Sequence, residues 1–306
     1  MDNKISDTVE ILVNKVAKIN SSERVLIITD KTTEFLIHPL IKGLSLVDKK
    51  FLLLSANEDI PEDYIIANDV FLVFTKENKC FSSSINKAVE IGKKVICCAN
   101  CTLEKFLKSI PEDIDKYHEM TLNLVSTLTK NSSFEIISGN NLHLKGNIDN
   151  FYPRYVGFKI DEMNNFAILP GGIIGVPIIP DSVNGDLLIN GFIQGIGLTV
   201  SPIKMKIEKG NVISVDGSEI PLSFMNNINS SWFRPCELGI GVNPNSKTSE
   251  DIHESESELG IIDIGFGENM HIGGPIQGNN HFDVTLRNST LYVNKKLIVK
   301  NGEIYI

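Results

Sequence analysis

The segment VLIITDKTTEFLIHPLIKGLSL, residues 25–46, decides the fold class. Its first five residues form a continuous aliphatic and β-branched run, the composition of a strand buried on both faces. From Thr32 onward the pattern changes to one that suits a helix. The same strand signal recurs at residues 51–55, 70–75 and 94–98, with helical stretches at 61–68 and 83–92 between. An amphipathic helix over 5–19 precedes the first strand, and another over 113–130 carries apolar residues at 117, 121, 124, 125 and 128. Strand and helix in alternation predict an α/β layered domain with a mostly parallel sheet. A strand pair at 134–138 and 142–146, turning at Gly139-Asn140-Asn141, closes this half. No glycine follows VLIIT, so the turn that lets backbone amides approach a pyrophosphate is missing.

Past residue 150 the texture becomes Gly-, Pro- and Asn-punctuated. Short strands are expected at 172–178, 185–189, 204–208, 211–215, 291–293 and 297–299, with turns at Lys209-Gly210-Asn211 and Asn301-Gly302. Two helices are expected here, at 224–234 and 249–259, the second opening on Ser249-Glu250-Asp251. The organisation read from this is an α/β domain over 1–150 and a mainly β (α+β), Gly-rich domain over 151–306.

A chain of 306 residues suits two cores better than one. Its net charge of −9 and its scattered arginines (Arg24, Arg154, Arg234, Arg287) argue against a nucleic-acid partner and against an anionic membrane surface. The N-terminus is charged and amphipathic, unlike a signal peptide. The longest apolar stretch, 166–180, is broken by Pro170, Gly171, Gly172, Gly175 and Pro177, whereas a membrane span wants about 20 unbroken residues. A cytoplasmic location is expected. Five cysteines without an export signal read as reduced thiols, and Cys97, Cys98 and Cys101 as core residues.

Three features carry chemistry. In His281-Phe282-Asp283, residues i and i+2 of a strand share a face, so an imidazole and a carboxylate converge while Phe282 turns to the core. Glu237 lies among small apolar residues, where an isolated carboxylate is costly and calls for a partner or a metal. The run from Gly260 to Asn269, followed by Gly273-Gly274, lets backbone approach a ligand closely. The bland alternatives are a solvated His–Asp pair, a Glu237–Arg234 ion pair and a set of tight turns.

Taken in order, LPGGIIGVPIIPDSVNGDLLING (169–191), ELGIGVNPNSK (237–247), ESELGIIDIGFGEN (256–269), GGPIQGNNHFDVTL (273–286) and the tail LYVNKKLIVKNGEIYI resemble the aminopeptidase T family of metallopeptidases. That fold family includes the iron-dependent 2,5-dihydroxypyridine dioxygenases. The resemblance covers residues 160–306 well and the first half only in its α/β pattern. It implies a divalent-metal centre and a homodimer paired through the C-terminal halves. Of the family's ligands, the Glu after PGG falls on Ile173, the Glu of ELGIG is kept as Glu237, the His of HIxxG becomes Asp263, and the closing pair is kept as His281 and Asp283. Glu237, His281 and Asp283, with Asp263 as a fourth, make an oxygen-rich shell for one Fe, Mn or Zn ion rather than two. His271 supplies a second imidazole if the loop after Glu268 folds back.

Three functions follow from the resemblance. The leading one is an aminopeptidase-type hydrolase of a small peptide or amide, with Glu268 or Asp263 as base. The second is a mononuclear non-haem Fe(II) oxygenase on a small aromatic or amine substrate. The third is a catalytically degenerate binding protein of the same fold.

Overall fold

The computed structural model describes residues 2–45, 48–53, 58–128, 131–150, 154–162, 164–217, 226, 230 and 232–306. The chain divides into two compact units, residues 1–118 with 156–171 and residues 119–155 with 172–306. The sequence reading puts one boundary at 150/151; the chain instead leaves the first unit, returns to it, and leaves again. The return has a local cause, because the strand Phe166–Ile168 completes the first unit's sheet alongside Lys94–Cys98.

That sheet is fully parallel, in the order Asp48–Leu53, Arg24–Thr29, Val70–Phe74, Lys94–Cys98, Phe166–Ile168. Alternate residues of three strands, Leu26 and Ile28, Phe71 and Val73, Val95 and Cys97, join Ile85 and Ala88 of the helix Ser83–Glu90 in one buried cluster. Each such buried aliphatic or aromatic side chain contributes about 1.5–3 kcal/mol. The expected helix over 32–46 is broken into a 3-10 turn, Glu34–Leu36, and a helix, Ile37–Gly43, with Pro39 in its first turn. The edge strand begins at Asp48 rather than 51, because pairing with Arg24–Leu26 draws its charged residues into the ladder. One helix, Leu103–Ser109, goes unread in the sequence; the Thr102 side chain caps it by accepting from Lys105 N.

Two of the cysteines depart from the reduced-thiol reading. Cys80 and Cys97 form a disulfide across a Cα–Cα distance of 5.5 Å, within the bridging range. Cys98, Cys101 and Cys236 are buried free thiols, as core cysteines should be.

The second unit is antiparallel. One sheet runs Asn211–Asp216, Ile203–Glu208, Asn184–Ile189, Leu142–Asn147, Ser133–Ser138, Thr290–Val293, Lys296–Lys300, Glu303–Ile304. The other carries Gly197–Leu198, Phe192–Ile193, His281–Leu286, Ile262–Gly267, Pro235–Gly241 and Ile173–Pro177 as neighbours in that order. The helix expected over 249–259 is realised as Ile252–Ser257. Its cap is Asp251, which accepts from His253 N and Glu254 N, rather than Ser249. The helix expected at 224–234 lies for the most part outside the described residues. Among the described residues no helix is long and apolar enough to cross a membrane.

Candidate metal centre

Strand register builds the site. Gly265 stands opposite both Glu237 and Asp283, and Gly267 opposite His281. Gly175 stands opposite Gly239, which faces Asp263 on its other side. Side chains two apart on a strand share a face, so Gly175, Glu237, Gly239, Asp263, Gly265, His281 and Asp283 occupy one face of the sheet. The opposite face is apolar, with Leu238, Ile240, Ile262, Ile264, Phe266 and Val284 buried. Phe282 stacks on Phe266 and Phe233 with ring centroids 5.1 and 5.3 Å away, the inward turn expected of it.

Glycines make room for the polar groups. A Cβ on Gly265 would sit 2.8 Å from His281 Cε1 and 2.9 Å from both Asp283 Oδ1 and Glu237 Cβ. One on Gly175 would strike Glu237 Oε1. The glycine-dense motifs are therefore more than turn formers at these positions.

His271 arrives from outside the sheet. After Glu268 the chain makes the 3-10 turn Met270–Ile272 and leaves it at Gly273, whose φ of 87° is left-handed. Asn269, fully buried, pins this turn: its Nδ2 donates to Cys236 O at 3.0 Å, and its Oδ1 accepts from Ile276 N at 2.8 Å. The loop does fold back. His271 Nε2 lies 3.3 Å from Glu237 Oε2, and His281 Nε2 lies 3.6 Å from the same oxygen. The ligating atoms of Glu237, His271 and His281 all fall within 4.8 Å of one another.

Each imidazole is held by its other nitrogen. His281 Nδ1 donates to Glu268 O at 2.6 Å, and His271 Nδ1 lies 3.0 Å from Glu268 Oε1. One residue thus orients both rings, its carbonyl holding one and its carboxylate the other, so that both Nε2 atoms face Glu237. This is the outer support that ligating histidines ordinarily have. A bulge between Pro235 and Glu237 brings Cys236 to the same place, its Sγ 3.4 Å from Glu268 O.

The charge balance calls for a cation. Burial lowers the affinity of His281 for a proton, yet the charges of Asp283 and Glu237 outweigh burial and push its pKa up. His271 moves up in the same way through Glu237 and Glu268. Burial raises the Asp263 carboxyl well above the usual range, and the nearby Asp283, Glu237 and Glu256 raise it further. Burial works against ionised Asp283 too, but His281 holds it low and Asp263 hydrogen-bonds to it. Asp263 is thus the neutral acid and Asp283 the anion. Burial pushes the Cys236 thiol up to about 12, which keeps it protonated. Two buried oxygens, Glu237 Oε2 and Asp263 Oδ1, have no well-aligned hydrogen-bond donor among the described residues, and Glu237 Oε2 meets the two imidazoles only as ion-pair neighbours at 3.3 and 3.6 Å. A buried carboxylate oxygen facing two converging imidazole nitrogens, over a glycine floor, fits a divalent ion.

The sequence-derived residues separate on this geometry. Glu237 and His281 stand in the ligand cluster, with Asp283 Oδ1 2.9 Å from His281 Nε2. Asp263 lies one strand position beyond, opposite Gly239 and Thr285, and hydrogen-bonds to Asp283. Glu268 lies behind His271. Ile173 pairs with Gly241, four residues along the strand from the Pro177–Glu237 pair, so about 13 Å separates it from the cluster along the sheet.

The family model described as NicX: 2,5-dihydroxypyridine 5,6-dioxygenase matches residues 56–306. By structure the chain is similar to 2,5-dihydroxypyridine dioxygenase from Pseudomonas putida KT2440, with TM-score 0.80 and 13% identity over 100% of this chain and 98% of that one. It is similar also to wild-type AmpT from Thermus thermophilus, with TM-score 0.72 and 9% identity over 100% of both. These two likenesses establish the fold, and with the family match they bear out the resemblance carried by the ordered motifs. No curated protein matches the chain by sequence.

Proposed function

We propose that this chain, which belongs to the NicX family of 2,5-dihydroxypyridine 5,6-dioxygenases, is a mononuclear non-haem iron enzyme that uses O₂ on a small aromatic substrate. One observation carries the reading: Glu237, His271 and His281 bring one carboxylate and two imidazoles together, each imidazole anchored through Nδ1. That donor set corresponds to the two-histidine, one-carboxylate arrangement of Fe(II) oxygenases. Bound there, the ion would offer open positions at which O₂ and substrate meet.

The protein's own part is positional. Glu268 fixes both rings, and Asp263 fixes Asp283 beside His281. Glu268 and Asp263, read from the sequence as bases, take these holding roles in the proposal. The aminopeptidase-type reading calls for two ions, and among the described residues no second group of three ligating side chains accompanies the first. The degenerate reading calls for a broken ligand set, and His271 restores the imidazole missing at position 263.

Elemental analysis of protein purified anaerobically without chelator tests this, beside His271→Ala and His281→Ala. The expected result is about one equivalent of iron in the wild type, lost in both variants, with O₂ uptake on addition of 2,5-dihydroxypyridine or a related ring. Two equivalents of zinc or manganese would return the hydrolase, and no metal would leave the binding protein.

A further inference from the structure

Beside the metal centre lies a cavity of about 440 Å³ lined by Trp232, Arg234, Asp181, Glu268, Gln277 and Asn280, among others. Its size suits one small ring with substituents. Gly267 and Glu268 form part of its wall, so the cavity adjoins the residues that orient His271 and His281. We propose that this cavity is the substrate subsite and that Arg234 selects a ring bearing a carboxylate. The inference rests on the oxygenase reading and narrows its substrate class.

Arg234 is the only cation among the described lining residues, and it is held as a recognition group is held. Its Nε donates to Gly210 O at 3.3 Å and its Nη2 to Lys209 O at 3.2 Å, while its own carbonyl accepts from Gly267 N at 3.0 Å. A Cβ on Gly210 would strike Pro180 O and sit 2.7 Å from Nη2, and the φ of 73° at this residue favours glycine, so a bare backbone lies against the guanidinium. One edge of the guanidinium is thereby fixed, and Nη1 donates to none of the described residues. An arginine prearranged in this way meets a carboxylate with two N–H groups and little further ordering.

Its present ionic partner is Asp181, whose side chain is 82% exposed. A substrate carboxylate would replace one carboxylate by another, and Asp181 would pass into water at little cost. Glu268, the other acid on the wall, is occupied by His271 and by Met270 N at 2.8 Å. Trp232, packed edge-on against Phe233 and Phe282 with centroids 5.8 and 6.2 Å away, gives the cavity a flat aromatic wall. The amides of Gln277 and Asn280 can donate to or accept from ring substituents. Together these features match a small planar carboxylate.

Isothermal titration with benzoate and benzamide, on iron-loaded protein and on the same preparation stripped of metal, tests the proposal. Wild type should prefer benzoate by roughly tenfold in both preparations, and Arg234→Gln should abolish that preference while benzamide binding holds. Asp181→Asn, on the surface, should tighten benzoate binding several-fold. Equal binding of the two probes, or a preference that survives in Arg234→Gln or vanishes with the metal, overturns the proposal. Should Arg234→Gln fail to fold, unchanged or weaker benzoate binding by Asp181→Asn overturns it alone. Metal content separates the two readings: iron without the preference removes only this inference, and the preference without iron removes only the oxygenase.

Discussion

The sequence reads Glu268 as a base, and the structure gives its carboxylate two ties in the turn that carries His271: Oε1 lies 3.0 Å from that ring's Nδ1, and Oε2 accepts from Met270 N at 2.8 Å. Glu268→Gln distinguishes holding from catalysis. The amide oxygen can keep one of the two ties, and the charge opposite His271 is lost. Outer carboxylates behind metal-bound histidines typically contribute 10–100-fold in metal affinity. The glutamine variant should accordingly bind Fe(II) about tenfold more weakly, near 1.4 kcal/mol. Turnover at saturating metal should change little. A removed general base would behave otherwise, leaving metal affinity intact and lowering turnover by about 10²–10⁴. Anaerobic competition against a chelator gives the affinity, and O₂ uptake at saturating Fe(II) gives the rate. Unchanged affinity with a collapsed rate would refute the holding role.

Three further outcomes are expected. Gly265→Ala should fold less stably by about 1–3 kcal/mol on calorimetry, because its Cβ meets His281, Asp283 and Glu237 at once, and it should retain little metal; wild-type metal content would show that the floor yields. In metal-free protein, the raised His271 pKa contributes stability that is full below the ordinary value of 6.5 and is lost as pH rises through the raised one. Metal affinity runs the opposite way and climbs over that range as the imidazole gives up its proton; melting temperatures with and without Mn(II), measured from pH 5 to 9, should diverge, and parallel curves would contradict the assignment. The Cys80–Cys97 bridge, separated by 17 residues, should contribute about 3 kcal/mol and leave three titratable thiols in unreduced, denatured protein; five thiols would show it absent.

How far the site could be read in advance depended on how local its signals are. His281 and Asp283 were visible because a period of two is written within three residues. Glu237 was visible because a lone carboxylate among glycines and aliphatics demands a partner. Asp263 is a ligand by the resemblance, standing where the family's motif has a histidine; register sets it one strand position beyond Gly265, where it hydrogen-bonds to Asp283. His271 depended on a fold-back that no periodicity encodes, and Asn269, fully buried beside it, was the residue that could have signalled it. Strand-helix alternation points to the parallel sheet, but the return of Phe166–Ile168 to that sheet is hidden at the start of the apolar stretch 166–180, whose later residues belong to another sheet. The disulfide was out of reach because cysteine spacing does not say which strand end a loop will meet. Arg234 enters the sequence reading as one scattered arginine and as a partner for Glu237, whereas it pairs with Asp181, since its surroundings come from turns near residues 181 and 210.

The glycine floor has a consequence for how the centre is kept in order. A site walled by large side chains depends on each neighbour choosing the correct rotamer, and every such choice is a thermal degree of freedom. Under Glu237, His281 and Asp283 the nearest neighbours are peptide units, which have no rotamers and whose positions are set by the hydrogen-bonded ladder. The spacing of these donors is therefore as stiff as the sheet itself. Adjustability is confined to the His271 turn, the one donor that the sheet does not carry.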